Sequence, residues 1–119
     1  AFVADFRKAT GKTPTARHWF GLVAVESVRL GAEKAKSLEG PKLSLAIEGM
    51  ELSPDVALQP GKVFYRAGDH ELMPNIFVGD VHPPIGGNPD AVFTVTSAVP
   101  GEQAAGPVSE TGCKMVHPA

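Results

Sequence analysis

The segment "HWFGLVAV", His18 to Val25, constrains this chain more than any other. It sits early in a long helical stretch and is apolar nearly all the way round. A helix of that kind must be covered on more than one side. Its start signal is Thr13-Pro14: threonine can cap, and proline suits the first helical position, where a missing N–H costs nothing. The helix is predicted over residues 14–36, and its second half, "ESVRLGAEKAKS", is amphipathic. Gly21, Ala24, Val28 and Gly31 form a lean stripe along it. A glycine inside a helix costs roughly 1 kcal/mol against alanine, so close approach of another backbone is the expected reason for them.

The flanking segments supply little of that cover. Residues 1–10 put Phe2, Val3 and Phe6 on one helical face, with Gly11 as the stop. Gly40-Pro41 opens a shorter helix in which Leu43, Ala46, Ile47 and Met50 follow the i, i+3, i+4, i+7 pattern. A loop with Pro54 and Pro60 comes next. Residues 62–66 and 75–81 read as strands, joined by a connection long enough for a loose antiparallel pair. From His82 the texture changes: the last 38 residues hold six prolines and five glycines, and only "AVFTVTSAV" reads as a strand. That composition predicts a linker or a wrapping arm. Within it "PPIGGNP" is a turn cluster, because no helix start and lysine follow it to make a phosphate loop.

Three helices and two or three strands do not cover a helix that is apolar on both sides. At ~25 cal/mol per Å2 of apolar surface removed from water, leaving those faces wet is costly. The cover is expected from further sequence of a longer parent polypeptide or from another copy of the chain. The 43% hydrophobic and 20% charged content is that of an ordinary globular protein. The net charge of -2 gives no basic footprint, which argues against nucleic acid as a partner. Apolar runs are broken by charge too often for a membrane span.

Three places carry residues of chemical interest. Asp69-His70-Glu71 lies in a polar turn between β-prone runs. Adjacent residues on a turn point in different directions, and His18, His82 and His117 are scattered, so a metal site is not expected. The expected role is structural, with Asp69 accepting backbone N–H groups and His70 bridging turn and strand. Cys113, the one cysteine, has Lys114 beside it but no local base, and Glu48 and Glu51 read as solvent-facing at a helix end. No catalytic residue and no cofactor is predicted. The third place is "TPTARHWFG". A helix N-terminus carries free N–H groups and partial positive charge, and Arg17, His18 and Trp19 lie in its first turns as candidate ligand-binding residues. The competing reading is that Trp19 is core and Arg17 solvated surface.

The order of these motifs resembles one known family. "FRKATGKTPT", then "HWFGLVAVESVRLGAEKAKS", then "GPKLSLAIEGM", then "GKVFYRAGDHELMPNIFVGDV" looks like the C-terminal part of type I periplasmic solute-binding proteins of ABC importers, in the branched-chain amino acid receptor branch. The match runs over residues 1–81, and "VPGEQAAGPVSETGCKM" resembles the ending of some members. The resemblance implies an α/β fold: part of a two-lobed architecture, an incomplete parallel sheet with flanking helices and, over residues 82–119, a long irregular arm. It implies an extracytoplasmic, periplasmic receptor that closes on a branched-chain amino acid or similar small organic acid and then meets ABC permease subunits. Counting back from the helix end, a ligand contact of the family falls near Arg17, with His18 and Trp19 adjacent. The alternative is a small self-associating α/β module, a homodimer that exchanges its C-terminal arm.

Overall fold

The computed structural model describes residues 2–115; His117 lies outside them. The chain forms α1 (Phe2–Thr10), α2 (Ala16–Ala35), α3 (Gly40–Ile47), α4 (Pro54–Ala57), β1 (Phe64–Tyr65), β2 (Leu72–Met73), β3 (Ile76–Val81), β4 (Phe93–Val99), α5 (Gly101–Ala105) and α6 (Val108–Thr111). It is a mixed α/β domain with two separate two-stranded sheets, β1–β2 and β3–β4, both antiparallel.

Helix ends follow local chemistry. Gly11 takes φ +68° and its N–H closes on the Arg7 carbonyl, which stops α1. The cap of α2 is Thr15 and not Thr13: Thr15 is extended, and its own N–H donates to Nδ1 of His18 one turn in. Pro14 therefore precedes the cap, and the helix begins two residues later than predicted. At the other end Lys36 adopts the left-handed conformation and its N–H returns to the Ala32 carbonyl. Pro41 sits in the first turn of α3, as its sequence suggests. Pro54 nucleates a further helical turn, α4, inside what reads as loop.

Helix α2 docks on α3 through Gly31. A Cβ there would lie 2.9 Å from Cγ1 of Ile47, so only glycine admits this approach without a shift. Val23, Met50, Leu52, Ala57 and Val63 form the buried core, with Trp19, Leu30, Ile47, Val56, Tyr65 and Leu72 packed against it. The Leu52 N–H donates to the Val63 carbonyl and the Tyr65 N–H to the Met50 carbonyl, which zips residues 50–52 onto β1. Ser27, buried on α2, accepts a 3.0 Å hydrogen bond from the Tyr65 hydroxyl.

Several expectations are corrected. The strands at 62–66 and 75–81 do not pair with each other. The Arg66 N–H bonds the Glu71 carbonyl and the His70 N–H bonds the Arg66 carbonyl, which folds the chain back early. β1 then pairs with β2, Phe64 opposite Met73 and Tyr65 opposite Leu72. β3 pairs instead with β4, Ile76 opposite Val99 through Val81 opposite Phe93. No parallel pair occurs among the described residues, where the resemblance implies an incomplete parallel sheet. Within residues 82–115, β4 forms where "AVFTVTSAV" reads as a strand, but two short helices, α5 and α6, follow where an irregular arm is expected. The division at residue 81 falls within the β3–β4 hairpin.

Among the described residues α2 is covered on one side only. Val23 is fully buried, but Val25 and Val28, turned away from it, are each half exposed or more. Of the two glycines in the lean stripe Gly31 meets α3, and nothing lies within 4 Å of a Cβ at Gly21. The β3–β4 hairpin is likewise open, with Val78, Val81, Phe93 and Val95 exposed. It carries a bulge next to Gly79, whose missing side chain lets the Thr94 carbonyl and the Phe93 ring close over it. Gly86 and Gly87, both at positive φ, build the tight turn foreseen in "PPIGGNP". Asp90 beyond that turn accepts hydrogen bonds from Arg7 and Thr13, tying the hairpin loop to α1.

Candidate functional site

Two polar constellations are candidates, the head of α2 and the turn at residues 66–71. At the head of α2, the Thr15 N–H lies 3.0 Å from Nδ1 of His18, so that nitrogen is committed as an acceptor to the cap. The ring packs edge-on against Phe6, centroids 4.6 Å apart, and so joins α1 to α2. The Trp19 indole N–H donates to the Ala57 carbonyl at 2.7 Å, which roots the ring beside the core. One face of Trp19 lines an open groove of about 440 Å3 together with Phe2, Val3, Pro14 and Leu58. Arg17 is exposed and has no hydrogen bond or ion pair among the described residues.

Helical geometry separates the three residues. Positions two apart are rotated by about 200°, so Arg17 and Trp19 leave α2 on opposite sides. The structure brings Trp19 to the groove, uses His18 to cap α2 and join it to α1, and leaves Arg17 away from the groove. An apolar body could rest on Trp19, Phe2 and Leu58, with the first-turn N–H groups of α2 nearby.

The turn is more tightly built. Arg66 grips Asp69 with both arms of its guanidinium, Nε to Oδ1 at 3.0 Å and Nη2 to Oδ2 at 2.5 Å. Nη2 also reaches Glu71 at 3.2 Å, and Nη1 donates to the Gly106 carbonyl at 2.6 Å. Asp69 Oδ1 in addition accepts the Glu71 N–H. The hydrogen bonds from Arg66 hold the Asp69 carboxyl below the usual carboxylate range, against the opposing effect of burial. The same bonds raise the Arg66 guanidinium further above its ordinary value. A bidentate arginine–carboxylate pair of this type fixes geometry as well as charge.

His70 takes a left-handed backbone, φ +57°, which turns its ring toward α3. Nε2 lies 2.8 Å from Oε1 of Glu48, and Nδ1 lies 3.4 Å from Oγ of Ser44. His70 thus bridges the turn to a helix and not to a strand. Glu48, read as solvent-facing, is half-buried and engaged. Ser44, His70 and Glu48 stand in the order of a nucleophile, base and carboxylate. Ser44, however, lies inside α3, where backbone N–H groups are consumed by the helix and none is offered to a developing oxyanion. The arrangement therefore fastens the turn to α3. No group of three His, Cys, Asp or Glu side chains suited to a metal occurs among the described residues. Cys113 is exposed and unpaired.

Sequence reasoning missed Arg66 as the hub. The signal was present in "RAGDHE": an arginine three residues before Asp69 and five before Glu71, with Gly68 between, can fork onto both carboxylates of its own turn. Its fourth bond, to Gly106, spans 40 residues and has no local signature. No family model matches the chain, and no curated protein or solved structure matches it.

Proposed function

We propose that this chain is the C-terminal part of a type I solute-binding receptor of an ABC importer, working in the periplasm and binding a branched-chain amino acid or similar small organic acid between two lobes. The observation that carries the reading is the outward face of α2, where Val25 and Val28 are exposed. In the receptor architecture that face is covered by the rest of the lobe, and the parallel sheet is contributed by the same missing part. The braced Asp69-His70-Glu71 turn supports the reading as well, because the motif order of the family places such a turn between two strands. Arg17, His18 and Trp19 are the proposed ligand contacts at the head of α2. Trp19 at the groove is the best placed of them, and Arg17 becomes relevant only where the second lobe closes over that end of the helix. Closure would be driven by the solute's higher affinity for the closed form, and the closed form would engage permease subunits.

The test is calorimetry with leucine, isoleucine, valine and an aromatic carboxylate. The 119-residue chain alone is expected to bind none of them tightly, since half of the cleft is absent, and its full-length parent is expected to bind at least one. Tight stoichiometric binding by the chain alone would overturn the proposal. The exposed Phe93, Val95 and Val81 of the hairpin favour a second reading, a self-associating module. Sedimentation decides it: a concentration-dependent dimer supports that reading, and a monomer across the whole range removes it.

A further inference from the structure

The C-terminal arm, residues 101–115, adds no side chain to the central core cluster. That cluster is built from Val23, Met50, Leu52, Ala57 and Val63, all of which precede β2, and the arm's one buried residue, Gly101, lies against Met73 of β2. The arm is instead laid over the outside of the β1–β2 hairpin at three points. Gly101 is buried with its Cα against Met73 and the Pro74 carbonyl, so closely that a Cβ would come within 2.5 Å of that oxygen. Val108 of α6 rests on Gly68, where a Cβ would be 3.0 Å from its methyl group. Between these points the Gly106 carbonyl receives Nη1 of Arg66. Glu102 of α5 adds a further attraction toward the same guanidinium.

The arm cannot hold its own shape. Its helices have five and four residues, too short to persist in water without docking. Pro100, Gly106 at φ +69°, Pro107 and Gly112 at φ +69° punctuate it, so each short helix is a separate rigid piece between joints. Its order therefore depends on the surface beneath it. Only one of the three points is a strong directional bond, and that bond comes from the arginine that also organises the turn.

We propose that residues 101–115 are a detachable strap, latched by Arg66 through the Gly106 carbonyl and hinged at Pro100. Release leaves the α2–α3–β1–β2 body folded. It removes Gly101, Ala104 and Ala105 from one wall of a 480 Å3 apolar groove whose other wall is Phe20, Leu72, Met73, Pro74 and Ile76. Arg66 is a positioning residue here: Asp69 and Glu71 aim its fork, and the spare arm of the fork holds the strap. This inference does not depend on the receptor reading.

The chain carries its own probe pair, a single tryptophan and a single cysteine. Energy transfer from Trp19 to an acceptor dye on the exposed Cys113 reports where the end of the strap lies. Arg66→Gln is expected to broaden the Trp19–dye distance distribution and shift it to longer values, while far-UV circular dichroism is retained. Exchange at the Gln103, Ala104 and Glu110 amides should accelerate by about tenfold or more, and the Leu52 and Tyr65 amides should keep their protection. Val108→Ser, which leaves Arg66 intact and weakens the contact on Gly68, should move the same readouts in the same direction. An unchanged distance distribution in folded Arg66→Gln overturns the latch. Loss of all structure in both variants overturns the strap, because the arm would then be integral to the body.

Discussion

The body at residues 16–73 and the hairpin at residues 76–99 are built on opposite principles. In the body, side chains from α2, α4, β1 and the 50–52 segment converge, and Val23, Val63 and Met73 are almost completely removed from water. In the hairpin neither strand buries a single residue, although its ladder runs over six paired positions. The body is held by packing, with hydrogen bonds that select one arrangement. The hairpin is held by backbone hydrogen bonds, with apolar side chains that have found no partner. A two-stranded ribbon is marginal by itself, so its attachments at Asn75, bonded to Pro60 and Gln59, and at Asp90, bonded to Arg7 and Thr13, matter more than its own side chains. Backbone pairing and core formation are thus separable here, and a chain can be well paired where it is poorly buried.

The sharpest way to break this comparison is to truncate one side chain in each region. Met73→Ala should cost about 2–5 kcal/mol in urea denaturation, because a fully buried side chain leaves a cavity. Val95→Ala should stay within about 0.5 kcal/mol, because its side chain is half exposed. Equal effects would mean that the hairpin is covered in solution. A smaller contrast lies within α2. Gly31→Val should destabilise by about 1–3 kcal/mol through collision with Ile47, whereas Gly21→Ala should stabilise by about 0.5–1 kcal/mol, since its surroundings are empty. Destabilisation by Gly21→Ala would show that another surface packs there.

The smallest effect concerns acid. The folded state lowers the Asp69 carboxyl below its unfolded value, so the pairing with Arg66 stabilises fully above about pH 4 and is lost as pH falls through the lower folded value. Thermal midpoints followed from about pH 6 to about pH 3 should fall less steeply for Asp69→Asn than for the parent sequence. Parallel curves would remove Asp69 from the acid response.

Much of the local architecture is readable from residues. Pro41 favours a first-turn position, Gly11 ends α1, and the alternation of "FTVTSAV" makes a strand, each through chemistry confined to a few neighbours. The capping role of Thr15 is also local, but Thr13-Pro14 offered a competing signal and only the side chain of His18 decides between them. Strand partners were not legible, because β-ladders depend on where a turn closes. Six residues of turn, braced by Arg66 and Asp69, redirected β1 to Leu72 and Met73 and left Ile76–Val81 for a partner beyond residue 92. At the head of α2, the residues alone favour Trp19 as core, and the family resemblance alone favours it as a ligand contact. Its bond to the Ala57 carbonyl comes from a helical turn that the flanking prolines had disguised as loop.

The hydroxyl pair of buried Ser27 and part-buried Tyr65 acts as a key between helix and strand. Were α2 to slide along β1 by one turn, the Tyr65 oxygen would face Val23 or Gly31, or Ala24 or Leu30 for the shorter step, and none of these side chains can accept its proton. Every misaligned docking therefore leaves a part-buried phenol without its serine acceptor. In a body with so few large side chains to interlock, one serine does the work of telling the correct alignment from its near neighbours.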